Sequence, residues 1–163
     1  EHYLGIKIQR DRGSRTATLS QGLMAMELVA KYGLQEGKTK TTPLTPSIRL
    51  TREGDPLDTD TYKYTQLIGS LMYLSVCTRP DITYTVGALA RYMSCPTTEH
   101  WTAAKGLLRY LAGTTNRGLV FGGNDSLQLE GYCDSDYAGD TDTRHSTGGY
   151  VFILNGAAIT WQS

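Results

Sequence analysis

The sequence predicts a mixed α+β chain, with strands near the N-terminus, a helical middle and strands again near the C-terminus. Three observations carry that prediction. Residues 3–20 alternate apolar and polar side chains around a turn-forming tetrapeptide. Residues 58–114 hold three apolar stripes at helical spacing, separated by short breaks. Residues 150–161 hold two apolar runs split by Asn155-Gly156, the strongest short-range hairpin signal. At 163 residues and 39% hydrophobic, the chain suits one ordinary domain or two small ones with a real core.

Leu4, Ile6 and Ile8 alternate with Gly5, Lys7 and Gln9, which makes a period-2 strand with one wet face. Asp11-Arg12-Gly13-Ser14 is turn chemistry, and Thr16-Ala17-Thr18-Leu19 returns as a second strand. Ser20 stands where a helix N-cap belongs. Met24, Leu28 and Tyr32 follow at steps of four, with Val29 beside Leu28, and Gly33 ends the stripe. Residues 35–57 carry Pro43, Pro46 and Pro56 and few large aliphatics, among them Leu44, Ile48 and Leu57. They read as a linker that lies over a surface and buries little.

Asp58 or Asp60 is placed to cap a first helix whose face is Tyr64, Leu67, Ile68, Leu71 and Met72. Pro80 suits the first turn of a second helix, with Asp81 favourable at the positive end of its dipole. Its buried face is Ile82, Val86, Leu89 and Met93, and Cys95-Pro96 breaks it. Thr97 or Thr98 caps a third helix, built on Trp101, Ala104, Leu108 and Leu111 and ended by Gly113. At this spacing the aromatic and Met side chains read as packing residues, and short loops imply an antiparallel helical unit.

The last fifty residues switch to strands. Gly118-Leu119-Val120-Phe121 is a short one. Leu127, Leu129, Gly131 and Cys133 then alternate with Gln128, Glu130, Tyr132 and Asp134, which puts Asp134 on the polar face of a half-buried strand. The hairpin around Asn155-Gly156 is apolar on both faces, so it needs a cover, and no helix-forming residues remain before Ser163 to make one.

Composition excludes several classes. No run approaches the roughly 20 apolar residues of a membrane span. Glu1-His2-Tyr3-Leu4-Gly5 has no initiator Met, basic n-region or apolar h-region, so it reads as a cut from something longer, not as a secretory leader. Cys77, Cys95 and Cys133 form no zinc spacing or disulfide framework, which favours a reducing, intracellular setting, cytoplasmic or nuclear. Net charge is zero, yet residues 1–50 hold eight bases and four acids while residues 51–163 hold eight bases and twelve acids. Nucleic-acid binding therefore has to rest on a local cluster, Lys7, Arg10, Arg12 and Arg15, whose competing reading is a solvated hairpin surface.

The dense candidate for chemistry is Asp134-Ser135-Asp136-Tyr137-Ala138-Gly139-Asp140-Thr141-Asp142. As a calcium loop it has acids at positions 1, 3, 7 and 9, but Ala138 and His145 stand where ligands are required. As half of an aspartic protease it lacks the Thr-Gly or Ser-Gly pair directly after the acid. A strand-borne Asp134 suits a two-metal nuclease, where carboxylates from later elements complete the site. A solvated acidic turn is the remaining alternative.

Whole words of the sequence then resemble the Pol polyprotein of copia-type LTR retrotransposons. They include Tyr3-Leu4-Gly5-Ile6, Leu19-Ser20-Gln21, Thr42-Pro43-Leu44 and Leu67-Ile68-Gly69-Ser70-Leu71-Met72-Tyr73-Leu74. Thr78-Arg79-Pro80-Asp81-Ile82, Leu108-Arg109-Tyr110-Leu111 with Gly113-Thr114, and Gly131-Tyr132-Cys133-Asp134-Ser135-Asp136 follow in order. Ser146-Thr147-Gly148-Gly149-Tyr150 and Trp161 close the match. The resemblance implies that residues 1–34 are the end of a reverse-transcriptase palm with its hairpin, and 58–114 a helical thumb or connection. Residues 115–163 would be the opening strands of an RNase H-like sheet, incomplete at Ser163. It further implies RNA-directed DNA polymerase and ribonuclease H activity in the parent, with Mg²⁺ as the metal and an RNA/DNA hybrid as the partner. By motif position Asp134 is the first of four RNase H acids, catalytic and metal-binding, while Asp136 takes no role. The later acids would lie past Ser163, and the polymerase Asp pair before Glu1, with the missing palm and fingers. Arg10, Arg12 and Arg15 would sit where the polymerase positions its primer strand. On this reading the isolated chain neither extends a primer nor cuts a hybrid.

Overall fold

The chain opens with β1 (His2–Tyr3), which turns through Leu4-Gly5 onto β2 (Ile6–Asp11) and then β3 (Thr16–Ser20). Leu4 and Gly5 have φ of 48° and 75°, so they form the β1–β2 turn and are not part of the strand that alternation suggested. The Asp11 carboxylate accepts the Gly13 and Ser14 N–H groups and the Ser14 hydroxyl, which closes the β2–β3 turn. The computed structural model describes residues 1–45, 48–123, 127–135, 142 and 146–163.

Helix α1 (Gly22–Lys31) follows directly and buries Ala25, Leu28 and Val29. Ser20 is not its cap, because it remains paired in β3 opposite Lys7; Gln21 takes that position without a side-chain cap bond. Gly33, at φ 66°, ends the turn, and the Leu34 N–H closes back onto the Val29 carbonyl. The segment before the next helix buries more than its composition suggested. Leu50 and Leu57 are buried in the core. Leu57 N–H donates to Pro96 O and Thr98 N–H to Asp55 O, which straps this segment to the helices.

The helical middle consists of α2 (Tyr64–Cys77), a 3-10 turn (Pro80–Ile82), α3 (Thr83–Ala90) and α4 (Thr98–Ala112). Leu67, Ile68, Leu71, Leu74, Ile82, Leu89, Leu107, Leu108 and Leu111 are fully buried together. Met72 points outward, and Leu74 with Ser75 completes the buried face instead, because a helix advances 100° per residue and 74 follows 71 and 67. Asp58 caps no helix: it accepts Asp60 and Thr61 N–H in a separate turn, six residues before α2 starts. Pro80 does open a helical turn, and Thr97 does cap α4. α3 stops at Ala90, short of Cys95-Pro96.

The described strands form two antiparallel sheets. β4 (Gly118–Gly122) pairs with β3, giving the order β1-β2-β3-β4. β5 (Leu129–Ser135), β6 (Gly148–Leu154) and β7 (Ala157–Gln162) form the second, in sequence order. The N-terminal hairpin is thus widened into a sheet by a strand from beyond the helices. Gly122 N–H donates to Asn155 O and joins the two sheets. Leu19, Leu119, Phe121, Val151, Ala157, Ala158 and Trp161 form a small second core between them, and the Trp161 indole N–H donates to Ser75 O at the end of α2. That covers one face of the last hairpin, while Tyr150, Phe152 and Ile159 remain exposed.

The orientation of β5 reverses the expectation. Tyr132 pairs with Val151, and Val151 with Trp161, so Tyr132 and Asp134 share the face that looks toward the body of the protein. Leu129, Gly131 and Cys133 share the outer face with Tyr150 and Phe152. Every residue of β5 is exposed, so it is not half-buried. The stronger apolar content of β6 and β7 decides which face packs, and β5 follows by register.

Candidate functional site

Asp134 is the sixth residue of β5, paired with Gly149. Its Oδ1 accepts the Ser135 N–H at 2.9 Å. Its face fronts a cleft of about 450 Å³ between the second sheet and the Pro80–Tyr84 segment, with Asp81, Tyr84, Tyr132, Val151 and Trp161 in its walls. The described residues do not make a two-metal site there. No three His, Cys, Asp or Glu side chains gather among them, and of the two side-chain carboxylates in the walls Asp81 is tied to Arg79, which leaves too few oxygens for two Mg²⁺ ions. Asp142 is turned elsewhere: its carboxylate accepts Arg52 N–H at 3.1 Å and the Tyr92 hydroxyl at 3.0 Å. Asp136, Asp140 and His145 lie outside the described residues, as does most of the loop on which the calcium reading rests.

Arg10, Arg12 and Arg15 do come together. They line a broad cleft of about 770 Å³ at the β2–β3 turn, floored by Ala17 and Phe121 and bordered by Asn155 of the second sheet. Arg15 has φ 55°, a turn conformation that swings it to the same end as the other two. Asp11 sits among them, held ionised below the ordinary carboxylate range by the Ser14 hydroxyl and the Gly13 N–H.

A buried polar brace was not legible in the spacing. Arg79 is 3% exposed, and its guanidinium donates Nε and Nη2 to the two Asp81 oxygens at 2.9 and 2.8 Å. The same guanidinium donates to Thr114 O at 3.0 Å and Thr114 Oγ1 at 2.8 Å. The Tyr110 hydroxyl donates to Asp81 at 2.7 Å. Burial raises the Asp81 carboxyl, but the hydrogen bonds from Arg79 and Tyr110 outweigh it and leave it below its ordinary value. Next to this brace, Thr78 Oγ1 donates to Gln21 Oε1 at 2.9 Å. Three of the sequence words named above, around Gln21, Arg79 and Tyr110, therefore meet in one place and hold α1, the 3-10 turn and α4 together. The signal that could have found it is Arg-Pro-Asp between two amphipathic helices, where a buried Arg demands a carboxylate.

His100 is fully buried and stacks on Tyr92 with ring centroids 3.9 Å apart. Its Nδ1 accepts the Thr97 N–H at 2.9 Å, so the neutral ring carries its proton on Nε2. Burial pushes the imidazole below its ordinary value, against the pull of Glu99 and Asp142.

No family model matches the chain, and no solved structure matches it. Among curated proteins it is 42% identical, over its whole length, to the retrovirus-related Pol polyprotein from transposon TNT 1-94 of Nicotiana tabacum. It is 40% identical over 99% of its length to the corresponding polyprotein from transposon RE1 of Arabidopsis thaliana. Secreted RxLR effector protein 161 of Plasmopara viticola is 46% identical over 61% of the chain, which covers 70% of that protein. Two of these three relatives are mobile-element polyproteins, aligned over nearly the whole chain. The chain belongs to the copia-type retrotransposon Pol polyprotein family, and it spans 13% of the first of these polyproteins and 11% of the second.

Proposed function

We propose that the chain is the part of a copia-type Pol polyprotein that joins its reverse transcriptase to its ribonuclease H. Residues 1–34 are then the end of the palm, 35–57 a linker, 58–114 the thumb or connection, and 115–163 the first RNase H strands, with β4 shared across the last boundary. Asp134 is the first metal-bridging carboxylate of the parent enzyme, Mg²⁺ its ion, and the RNA strand of a hybrid its substrate. The remaining palm, fingers and RNase H segments are the partners, and the setting is cytoplasmic or nuclear. The observation that supports this most is the side of β5 on which Asp134 lies: it faces a cleft and not the open outer surface.

The test is made in a Pol polyprotein that carries this segment. Asp134→Asn should abolish cleavage of RNA in an RNA/DNA hybrid and leave primer extension intact; retained cleavage overturns the assignment. In the isolated chain, Arg10, Arg12 and Arg15 give weak, sequence-indifferent hybrid binding with a log–log salt slope of about −2 to −3. Replacing all three by Ala should flatten that slope, and an unchanged slope removes them from the interface. A second reading has its own support, because the chain covers most of some short relatives, 70% of the effector protein and 74% of an uncharacterised Arabidopsis thaliana mitochondrial protein. In that reading the segment stands alone as a non-catalytic module that binds nucleic acid or protein weakly.

A further inference from the structure

We infer that the cleft at the β2–β3 turn seats an unpaired nucleotide of a single strand. Its phosphate lies on the arginine rim and its base against Phe121. The inference rests on the reading of Arg10, Arg12 and Arg15 as nucleic-acid contacts, and it says which form of nucleic acid they hold. Neighbouring positions in the chain bring the three bases together, but tertiary structure gives them a concave floor. Ala17 pairs with Phe121 across β3 and β4, which puts both side chains on one face of the first sheet. Phe121 is half-buried: it packs against the small core of Leu119, Ala157 and Ala158 and also lines the cleft. That packing fixes its place. A Cβ on Gly122 would run into the Arg15 carbonyl, so its absence lets β4 come close against the turn. The Gly122 N–H bond to Asn155 O holds the far border.

The walls combine two chemistries that a nucleotide also combines. Among the described lining residues, three guanidinium groups stand against one carboxylate, that of Asp11, whose oxygens already accept Gly13 and Ser14. A rim of net positive charge suits phosphodiester oxygens, which guanidinium groups bind through paired N–H donors. The Ala17 and Phe121 side chains have no donor or acceptor. They suit the flat face of a base and are indifferent to which base it is. A duplex cannot use both parts. Its phosphates reach the rim, but its bases are paired and stacked inside the helix, away from the floor. A single strand can turn one base inward. The cleft, at about 770 Å³, falls in the size range of small-ligand sites and has room for one nucleotide.

Fluorescence anisotropy on the 163-residue chain tests this with three labelled probes. They are a short DNA strand, an abasic strand of the same length, and a blunt RNA/DNA hybrid. The intact strand should bind about fivefold tighter than the abasic strand, which carries the same phosphates without bases. Phe121→Leu should remove that difference, and Phe121→Tyr, which keeps a ring, should retain it. Replacing Arg10, Arg12 and Arg15 together by Ala should weaken the intact and abasic strands alike. Equal binding of the two strands by wild type, or a difference that survives Phe121→Leu, overturns the inference. In that case, loss of hybrid binding in the triple Ala variant still upholds the arginine contacts. Binding of all three probes unchanged by the triple substitution overturns both.

Discussion

At the scale of single residues, the strongest constraints are two titratable groups that serve structure, Asp81, itself partly exposed but paired with the buried Arg79, and the buried His100. Removing the Asp81 charge leaves Arg79 buried without its carboxylate, so Asp81→Asn should cost about 3 kcal/mol in urea unfolding. The Asp81 carboxyl is held below its ordinary value of 3.8 when folded. Its contribution is therefore complete above that pH and is lost as the pH falls through the lower, folded value. His100 acts in a different window. Its folded value lies below the ordinary 6.5, so the unfolded chain takes up a proton that the folded chain resists. The His100 contribution should be flat above pH 6.5 and be lost as the pH falls below it, until the lower folded value is reached. His100→Gln should be less stable than wild type at pH 8 but show a smaller decline over that interval, as read from urea midpoints across pH. An equal decline in both proteins would assign the effect to other groups.

At the scale of elements, turns carry more specificity than helix caps. Among the described helices, α4 alone has a side-chain capping box, made by Thr97 and His100; α1, α2 and α3 start without one and depend on packing. Asn155-Gly156, with φ of 52° and 89°, forms the primed turn that its sequence announces. Gly122 is the contrasting case. It too has a positive φ, of 96°, but a Cβ there would run into the Arg15 carbonyl, whereas one at Gly156 would meet no atom closer than 3.8 Å. Gly156→Ala should cost about 1 kcal/mol, a conformational penalty alone. Gly122→Ala should cost clearly more, because backbone atoms cannot step aside as a flexible side chain can. Thermal denaturation of the two variants side by side checks the order.

At the scale of the whole molecule, stability should grade from the helical core outward, and the C-terminal residues should not behave as a unit. β4 is clamped between β3 and the second core, β6 and β7 are covered on one side through Val151, Ala158 and Trp161, and β5 is exposed throughout. Hydrogen exchange should therefore be slowest in residues 67–74, intermediate in 118–122 and 150–161, and fastest in 129–135. Protection of 129–135 equal to that of 67–74 would show that β5 has acquired a partner, such as a second copy of the chain.

What the sequence determined by itself was local: four amphipathic helices, the turns at Asp11 and Asn155, the strand bearing Asp134, and the family to which the words belong. Period and turn chemistry act within a few residues, so they can be read without a fold. Tertiary structure alone decided that β4 joins the N-terminal sheet, that Arg79, Asp81, Tyr110 and Thr114 form one brace, and that Arg10, Arg12 and Arg15 share a cleft with Asn155. It also decided which face of β5 turns inward. Alternation along β5 marks two faces but not which of them packs, and that choice belongs to the residues of β6 and β7 paired with it.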